Sequence, residues 1–129
     1  MILLDTDVLI ECLRGTSAAR TWLQHASAEP FQIPGVVAME LVMGCQDQAD
    51  LARIQKFLKT FAILWPEAPE FASAHDLLIA HRLSSGISIP DCLIAAMALN
   101  RGARLYTLWS RGSTSISRIP GFIDSIGVN

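Results

Sequence analysis

Asp5, Glu40 and Asp91 are carboxylates set in apolar surroundings. Asp5 ends Met1-Ile2-Leu3-Leu4, Glu40 lies inside Val36-Val37-Ala38-Met39-Glu40-Leu41-Val42-Met43, and Asp91 opens Asp91-Cys92-Leu93-Ile94-Ala95-Ala96. An ionised carboxylate taken out of water carries a penalty of roughly several kcal/mol unless something compensates it. The apolar neighbours of Glu40 offer nothing, so compensation must come from elsewhere in the fold, as an arginine, a hydrogen-bond network or a bound cation. Three acids far apart along the chain can converge on one cation. An all-oxygen donor set suits Mg2+ or Mn2+, because hard ions prefer carboxylate and water; zinc is disfavoured.

Each acid also has an ordinary role open to it. Asp5 can cap a helix that starts near Asp7, and Asp91 can be a favourable first-turn acid. Glu40 can form a buried ion pair with Arg14 or Arg82. Asp7 reads as a helix-start residue and stays outside the predicted ligand set. Glu70 and Asp76 read as surface positions. His25, His75 and His81 show no metal-ligand spacing among themselves, and Trp22, Trp65 and Phe57 read as core or interface rather than as base-stacking platforms.

Composition narrows the setting. In 129 residues, 51% hydrophobic content against 17% charged supplies one ordinary core, which predicts a single domain over residues 1–129 without linker or disordered tail. Cys12, Cys45 and Cys92 are odd in number, form no Cys-x-x-Cys pair and sit in apolar helical patterns. They predict small core residues in a reducing compartment, hence a cytoplasmic protein. The opening Met-Ile-Leu-Leu is too short for a membrane span, and no membrane association is expected. Net charge of −2 argues neither for nor against nucleic acid, but its distribution is uneven: no acid lies between Asp91 and Asp124, where Arg101, Arg104, Arg111 and Arg118 all fall. A basic strip beside an acidic metal cluster would suit a polyanion, although scattered solubilising arginines explain the same count.

The elements that must position these residues follow from periodicity. Met1 to Asp5 predicts a short buried strand, and Asp7 to Arg14 a helix closed by Gly15. A second helix follows from Thr16 or Ser17 to about Ser27. Phe31 to Ile33 predicts a strand, then Val36 to Gly44 a helix. Asp47 can cap a further helix with Leu51, Ile54, Phe57, Leu58 and Phe61 on one face. Phe61 to Trp65 predicts a strand, Pro69 to Ser84 a helix ended by Gly86, and Ser88 to about Asn100 a helix that opens on Pro90 and Asp91 and stops at Gly102. Arg104 to Leu108 is the last predicted strand, with a loop from Trp109 to Ser117. Short apolar strands separated by helices, without hairpin signals, predict a parallel sheet covered on both faces, with sites at the carboxyl ends of its strands.

These local contexts are more specific than the acids alone. Leu4-Asp5-Thr6-Asp7-Val8-Leu9-Ile10, then Val37-Ala38-Met39-Glu40-Leu41 followed by Gly44, then Gly86-Ile87-Ser88-Ile89-Pro90-Asp91-Cys92-Leu93-Ile94-Ala95-Ala96, stand in one order over nearly the whole chain. In this order the chain resembles the PIN-domain ribonucleases, particularly the VapC-like toxins of bacterial toxin–antitoxin pairs. The resemblance implies a three-layer α/β/α sandwich with a short central parallel sheet. It also implies that the residues matching Asp5, Glu40 and Asp91 bind one or two Mg2+ or Mn2+ ions and support hydrolysis of RNA phosphodiester bonds. Asp5 and Asp91 would be the main metal pair and Glu40 the holder of a second metal or of a water, with Thr6 and Thr107 as supporting hydroxyls and Arg111 and Arg118 as RNA contacts. A cognate antitoxin and a homodimer are implied as partners, through an amphipathic helix pair between Asp47 and Ser84.

One position departs from the pattern. The family carries Asn or Asp in a Thr-x-Asn type motif after the late strand, whereas Thr107-Leu108 is followed here by Trp109. An indole donates one hydrogen bond and cannot ligate a metal. The departure keeps open a catalytically weak or inactive PIN-like module that binds RNA or a partner. A second alternative is the Asp-x-Asp opening of haloacid-dehalogenase-like phosphatases, with Asp5 as covalent nucleophile and Asp7 as acid/base. That chemistry needs a later lysine and a late acidic pair, and the only lysines are Lys56 and Lys59.

Overall fold

The computed structural model describes residues 1–15, 21, 30–108 and 116–118, with backbone alone at 107, 108 and 116–118. The elements are β1 (Ile2–Leu4), α1 (Thr6–Arg14), β2 (Phe31–Pro34), α2 (Gly35–Met43), α3 (Gln48–Leu58), β3 (Ala62–Leu64), α4 (Ala68–Ser85), α5 (Ile89–Arg101), β4 (Arg104–Leu108) and β5 (Ile116–Arg118). The helix predicted from Thr16 to Ser27 lies outside the described residues except at Thr21, which is helical. The others stand where apolar periodicity places them, to within a residue or two at their ends.

The sheet runs β3-β2-β1-β4-β5. β1 pairs in parallel with β2 and with β4, and β2 with β3. Ile2, Leu3 and Leu4 are all buried without alternation, as a central strand covered on both faces requires. The chain builds outward from β1 to β2 and β3, then returns to place β4 on the other side of β1. The carboxyl end of β1 is therefore the point where strand order reverses, the usual place for a site in an open α/β sheet.

β5 is a correction. It pairs antiparallel to β4, with Tyr106 opposite Arg118 and Leu108 opposite Ile116, so Ile116 and Ser117 belong to a strand rather than to the expected loop, and the sheet is parallel only over its first four strands. Ile-Ser-Arg carries no apolar run; what defines the strand is its backbone pairing to β4, which a hydropathy pattern does not register.

One hydrophobic cluster joins the sheet to α1, α2, α3 and α5, and a second lies between α4 and α5. α5 is buried from Cys92 through Ala98, apolar on every side, as expected for a helix enclosed by neighbours. Gly102 ends it in the left-handed conformation, φ 60°, which a glycine adopts without a Cβ penalty. Ile54 and Leu58 of α3 are buried, and Phe57 meets Phe61 edge-on with centroids 5.3 Å apart. Cys12, Cys45 and Cys92 are free thiols, Cys92 fully buried.

The α4–α5 pair is fastened by a second correction to the sequence reading. Glu70, predicted on the surface, is 3% exposed. Its carboxylate accepts two hydrogen bonds from Arg101, Nε to Oε2 at 2.9 Å and Nη2 to Oε1 at 2.8 Å, and a third from the Glu67 backbone N–H at 2.9 Å. The same Arg101 Nη2 donates to the Trp65 carbonyl at 3.0 Å. These bonds tie the start of α4 to the end of α5 and to the residue after β3. Arg101 is thereby removed from the predicted basic strip, because its charge is met by Glu70. Trp65 itself is 58% exposed. Its indole lies over Gly35, where an added Cβ would stand 2.8 Å from Cζ3 and 2.9 Å from Cδ2; glycine allows β2 to pass directly into α2 beneath that ring.

Candidate functional site

Each candidate acid is placed by the local structure that its own sequence builds. Asp5 follows β1 directly: its backbone N–H donates to the Tyr106 carbonyl at 3.0 Å, and its side chain caps α1 by accepting from Thr6 N at 2.7 Å. Asp91 stands in the first turn of α5, in a capping box with Ser88. Ser88 Oγ donates to Asp91 Oδ2 at 2.7 Å and accepts from Asp91 N at 3.3 Å. The ordinary roles of Asp5 and Asp91 are thus real, and they fix both rotamers at helix N-termini, where the dipole favours an anion. Capping and ligation are compatible: both hydrogen bonds that Ser88 donates to the Asp91 carboxylate fall on Oδ2.

Glu40 lies in α2, half-buried rather than fully enclosed. The Thr6 hydroxyl donates to its Oε1 at 3.2 Å. Burial raises the Glu40 carboxyl above its ordinary range, the Thr6 bond pulls the other way, and the negative charges of Asp5, Asp91 and Asp7 raise it further. Those three charges act on Glu40 because the fold brings them to the same edge of the sheet. Asp7, excluded from the predicted set, belongs to this acidic group; the signal that could have found it is its place one turn-start after Asp5 at the strand-order reversal.

The ion-pair alternative for Glu40 fails on both candidates. Arg14 pairs with Glu11 at 3.0 Å, and Arg82 donates to the Gly86 and Ile87 carbonyls at 2.7 and 3.0 Å, closing the end of α4. Among the described residues, no cation contributes to the shift at Glu40.

Among the described residues, no three Asp, Glu, His or Cys side chains stand close enough to grip one ion together. The donor chemistry nevertheless fits a hard cation. The gathered groups are carboxylates and hydroxyls, and the burial and negative neighbours that raise the Glu40 carboxyl against the Thr6 bond are of the sign that a bound cation relieves.

Of the other predicted positions, Thr107 lies in β4 opposite Ser117, and Arg118 in β5 opposite Tyr106, with side chains outside the described residues. Trp109 and Arg111 are outside them altogether, as are His25 and Trp22. His75 and Asp76 are exposed and His81 half-buried, away from any candidate chemistry.

Comparison with known proteins gives a consistent placement. The PIN domain family profile matches residues 2–108. Ribonuclease VapC10 of Mycobacterium tuberculosis is 36% identical over 110 residues, which cover 84% of this chain and 82% of the relative. Ribonuclease VapC11 of the same organism is 30% identical over 113 residues, covering 81% and 84%. The VapBC2 complex of Rickettsia felis, solved bound to a promoter DNA fragment, superposes with a TM-score of 0.68 at 22% identity, over 81% of this chain and 85% of that one, and so shares its fold. The phosphatase alternative lapses with these matches. The chain belongs to the PIN domain family, in its VapC-like branch.

Proposed function

We propose that this chain is a divalent-metal-dependent endoribonuclease and the toxin of a toxin–antitoxin pair. The observation that carries the reading is the approach of Asp5, Asp91 and Asp7 to Glu40 near the carboxyl end of β1, where their negative charges act on the Glu40 carboxyl beside its hydrogen bond from Thr6. Relatives named as ribonucleases and structural neighbours solved as toxin–antitoxin complexes support it.

In this reading Asp5, Glu40 and Asp91 hold Mg2+ or Mn2+. Such an ion, when bound, polarises a phosphoryl oxygen and acidifies water. The chain's own contribution is orientation. The cap on Thr6 N fixes Asp5, Ser88 fixes Asp91, and the Thr6 hydroxyl holds Glu40 toward the same edge. Thr107, at the end of β4, would support from the adjacent strand. Arg111 and Arg118 remain candidate RNA contacts, and the enzyme would work in the cytoplasm as one domain.

Partner surface is also available. Met39, Val42 and Met43 of α2, beside Glu40, and Ile79 and Leu83 of α4 are exposed. Met39, Val42 and Met43 share one helix face at i, i+3 and i+4 spacing, and exposed apolar surface suits interaction, here with an antitoxin and a second copy. Among the described residues no helix is long and apolar enough to cross a membrane.

The test is incubation of the purified protein with a mixed RNA pool, with and without Mg2+ or Mn2+, beside Asp5→Asn. Metal-dependent cleavage by the wild type alone is the expected result. Growth arrest on expression, relieved by the product of the neighbouring reading frame, would test the toxin half.

A further inference from the structure

A cleft of about 290 Å³ opens between α1, α2 and α3, and Thr6 and Glu40 are part of its wall. Its apolar lining includes Ile10, Leu13 and Ile54, and Arg14 and Arg53 border it. Small-molecule pockets span roughly 300–1,000 Å³, so this volume suits one flat ring system rather than a larger ligand. The two arginine side chains are 68% and 67% exposed and, among the described residues, pair only within their own helices, Arg14 with Glu11 at 3.0 Å and Arg53 with Asp50 at 3.9 Å. Exposed pairs of this kind contribute little, so a phosphate can replace the carboxylate. Arg82 and Arg101, by contrast, are committed to backbone carbonyls and to Glu70.

Gly44 also lines the cleft. Its φ of −78° is open to any residue, and among the described residues an added Cβ would meet only Leu41 O at 3.5 Å and Glu40 O at 3.9 Å, ordinary contacts. Neither backbone nor crowding requires glycine there; what the missing side chain leaves is open volume beside Glu40.

We propose that this cleft is the nucleotide subsite that sets where RNA is cut: one base enters against Ile10, Leu13 and Ile54, and Arg14 and Arg53 hold the flanking phosphates. The apolar lining matches a base, and the bordering guanidiniums match the backbone charge that the acidic group itself repels. The inference rests on the ribonuclease reading.

The test uses the full chain as Gly44→Leu and as the surface double variant Arg14→Ala/Arg53→Ala, which does not depend on packing in the cleft. Cleavage sites in a mixed RNA pool, KM, and RNA affinity against salt are measured, with melting temperatures in Mg2+ or Mn2+. Gly44→Leu should redistribute the cleavage sites and raise KM about tenfold or more, the scale of a filled apolar pocket, while the metal-induced rise in melting temperature persists. The double variant should lower the salt slope by about 1.4, at about 0.7 per phosphate contact on a single strand. Unchanged sites, KM and slope in folded, cleaving variants would overturn the subsite and leave the ribonuclease reading standing. A wild type that binds RNA but cuts none with either metal would overturn the ribonuclease reading, and affinity indifferent to both variants would then overturn the subsite as well. Variants with unchanged RNA behaviour that escape neutralisation by a co-expressed partner would assign the cleft to that protein and overturn the proposal.

Discussion

The Thr6 hydroxyl donates to Glu40 Oε1 across 3.2 Å, so the first residue of α1 steers an acid in α2, 34 positions later. A hydrogen bond to a charged group is typically worth about 1.5–3 kcal/mol. Thr6→Val keeps the shape and deletes the donor, and should lower metal-dependent RNA cleavage by about tenfold, each factor of ten being about 1.4 kcal/mol. Thr6→Ser should retain most of the activity. Equal losses in the two variants would assign the effect to packing of the methyl group rather than to the hydroxyl.

The Glu70–Arg101 fastening predicts a pH dependence of stability. Hydrogen bonds from the Arg101 guanidinium hold the Glu70 carboxyl below its ordinary range, against the opposing effect of burial. A folded-state pKa below the unfolded value gives stability that is complete above the ordinary glutamate pKa of about 4.3 and is lost as pH falls through the folded value. Glu70→Gln should therefore melt lower than the wild type at pH 7, with the gap narrowing below about pH 4. Arg101→Ala leaves a charge that is 4% exposed without its partner, and should cost about 3–5 kcal/mol. A gap that stays constant across the titration would show that the pair contributes through shape alone.

The difference between what was legible in the sequence and what was not has a physical cause. Strands and helices read correctly where burial follows a helical period, as in α3, and where an unbroken apolar run marks an enclosed element, as in β1 and the middle of α5. Asp5, Glu40 and Asp91 stood out because charge is costly in apolar surroundings, and the motif order around them identified the family. Glu70 escaped because its partner Arg101 is 31 residues away; a charged residue on an ordinary helix looks solvated until its counter-ion is known. β5 escaped because pairing to β4, rather than apolar content, makes it a strand. The cleft beside Glu40 could not be read at all, since it is a space between three helices and Gly44 marks it only by what is missing.

Metal loading should separate ligation from capping at Asp91. Asp91→Asn keeps an acceptor for Ser88 and removes one negative charge from the group around Glu40, so the metal-free variant should melt at or slightly above the wild-type temperature. A cation that binds only the folded state stabilises it by about 2.7 kcal/mol at a hundred times its Kd. Millimolar Mg2+ or Mn2+ should accordingly raise the melting temperature of the wild type and do much less for Asp91→Asn. An equal rise in both would remove Asp91 from the metal site.

Gly35 and Trp65 should be energetically coupled, although one begins α2 and the other follows β3. An alanine Cβ at Gly35 would collide with the body of the indole, not with a flexible tip, and overpacking of this kind typically costs about 1–3 kcal/mol. Arg101 holds the Trp65 carbonyl and so fixes the backbone that carries the ring, leaving rotation about the side-chain torsions as the way to clear an added Cβ. Trp65→Ala removes the obstacle, and Gly35→Ala in that background should cost much less than it does alone. Denaturant unfolding of the two single variants and the double variant gives the coupling, expected within the 0.5–3 kcal/mol range typical of touching residues. Additivity to within about 0.5 kcal/mol would mean that the indole swings aside at no cost, and that the passage from β2 into the helix bearing Glu40 does not depend on it.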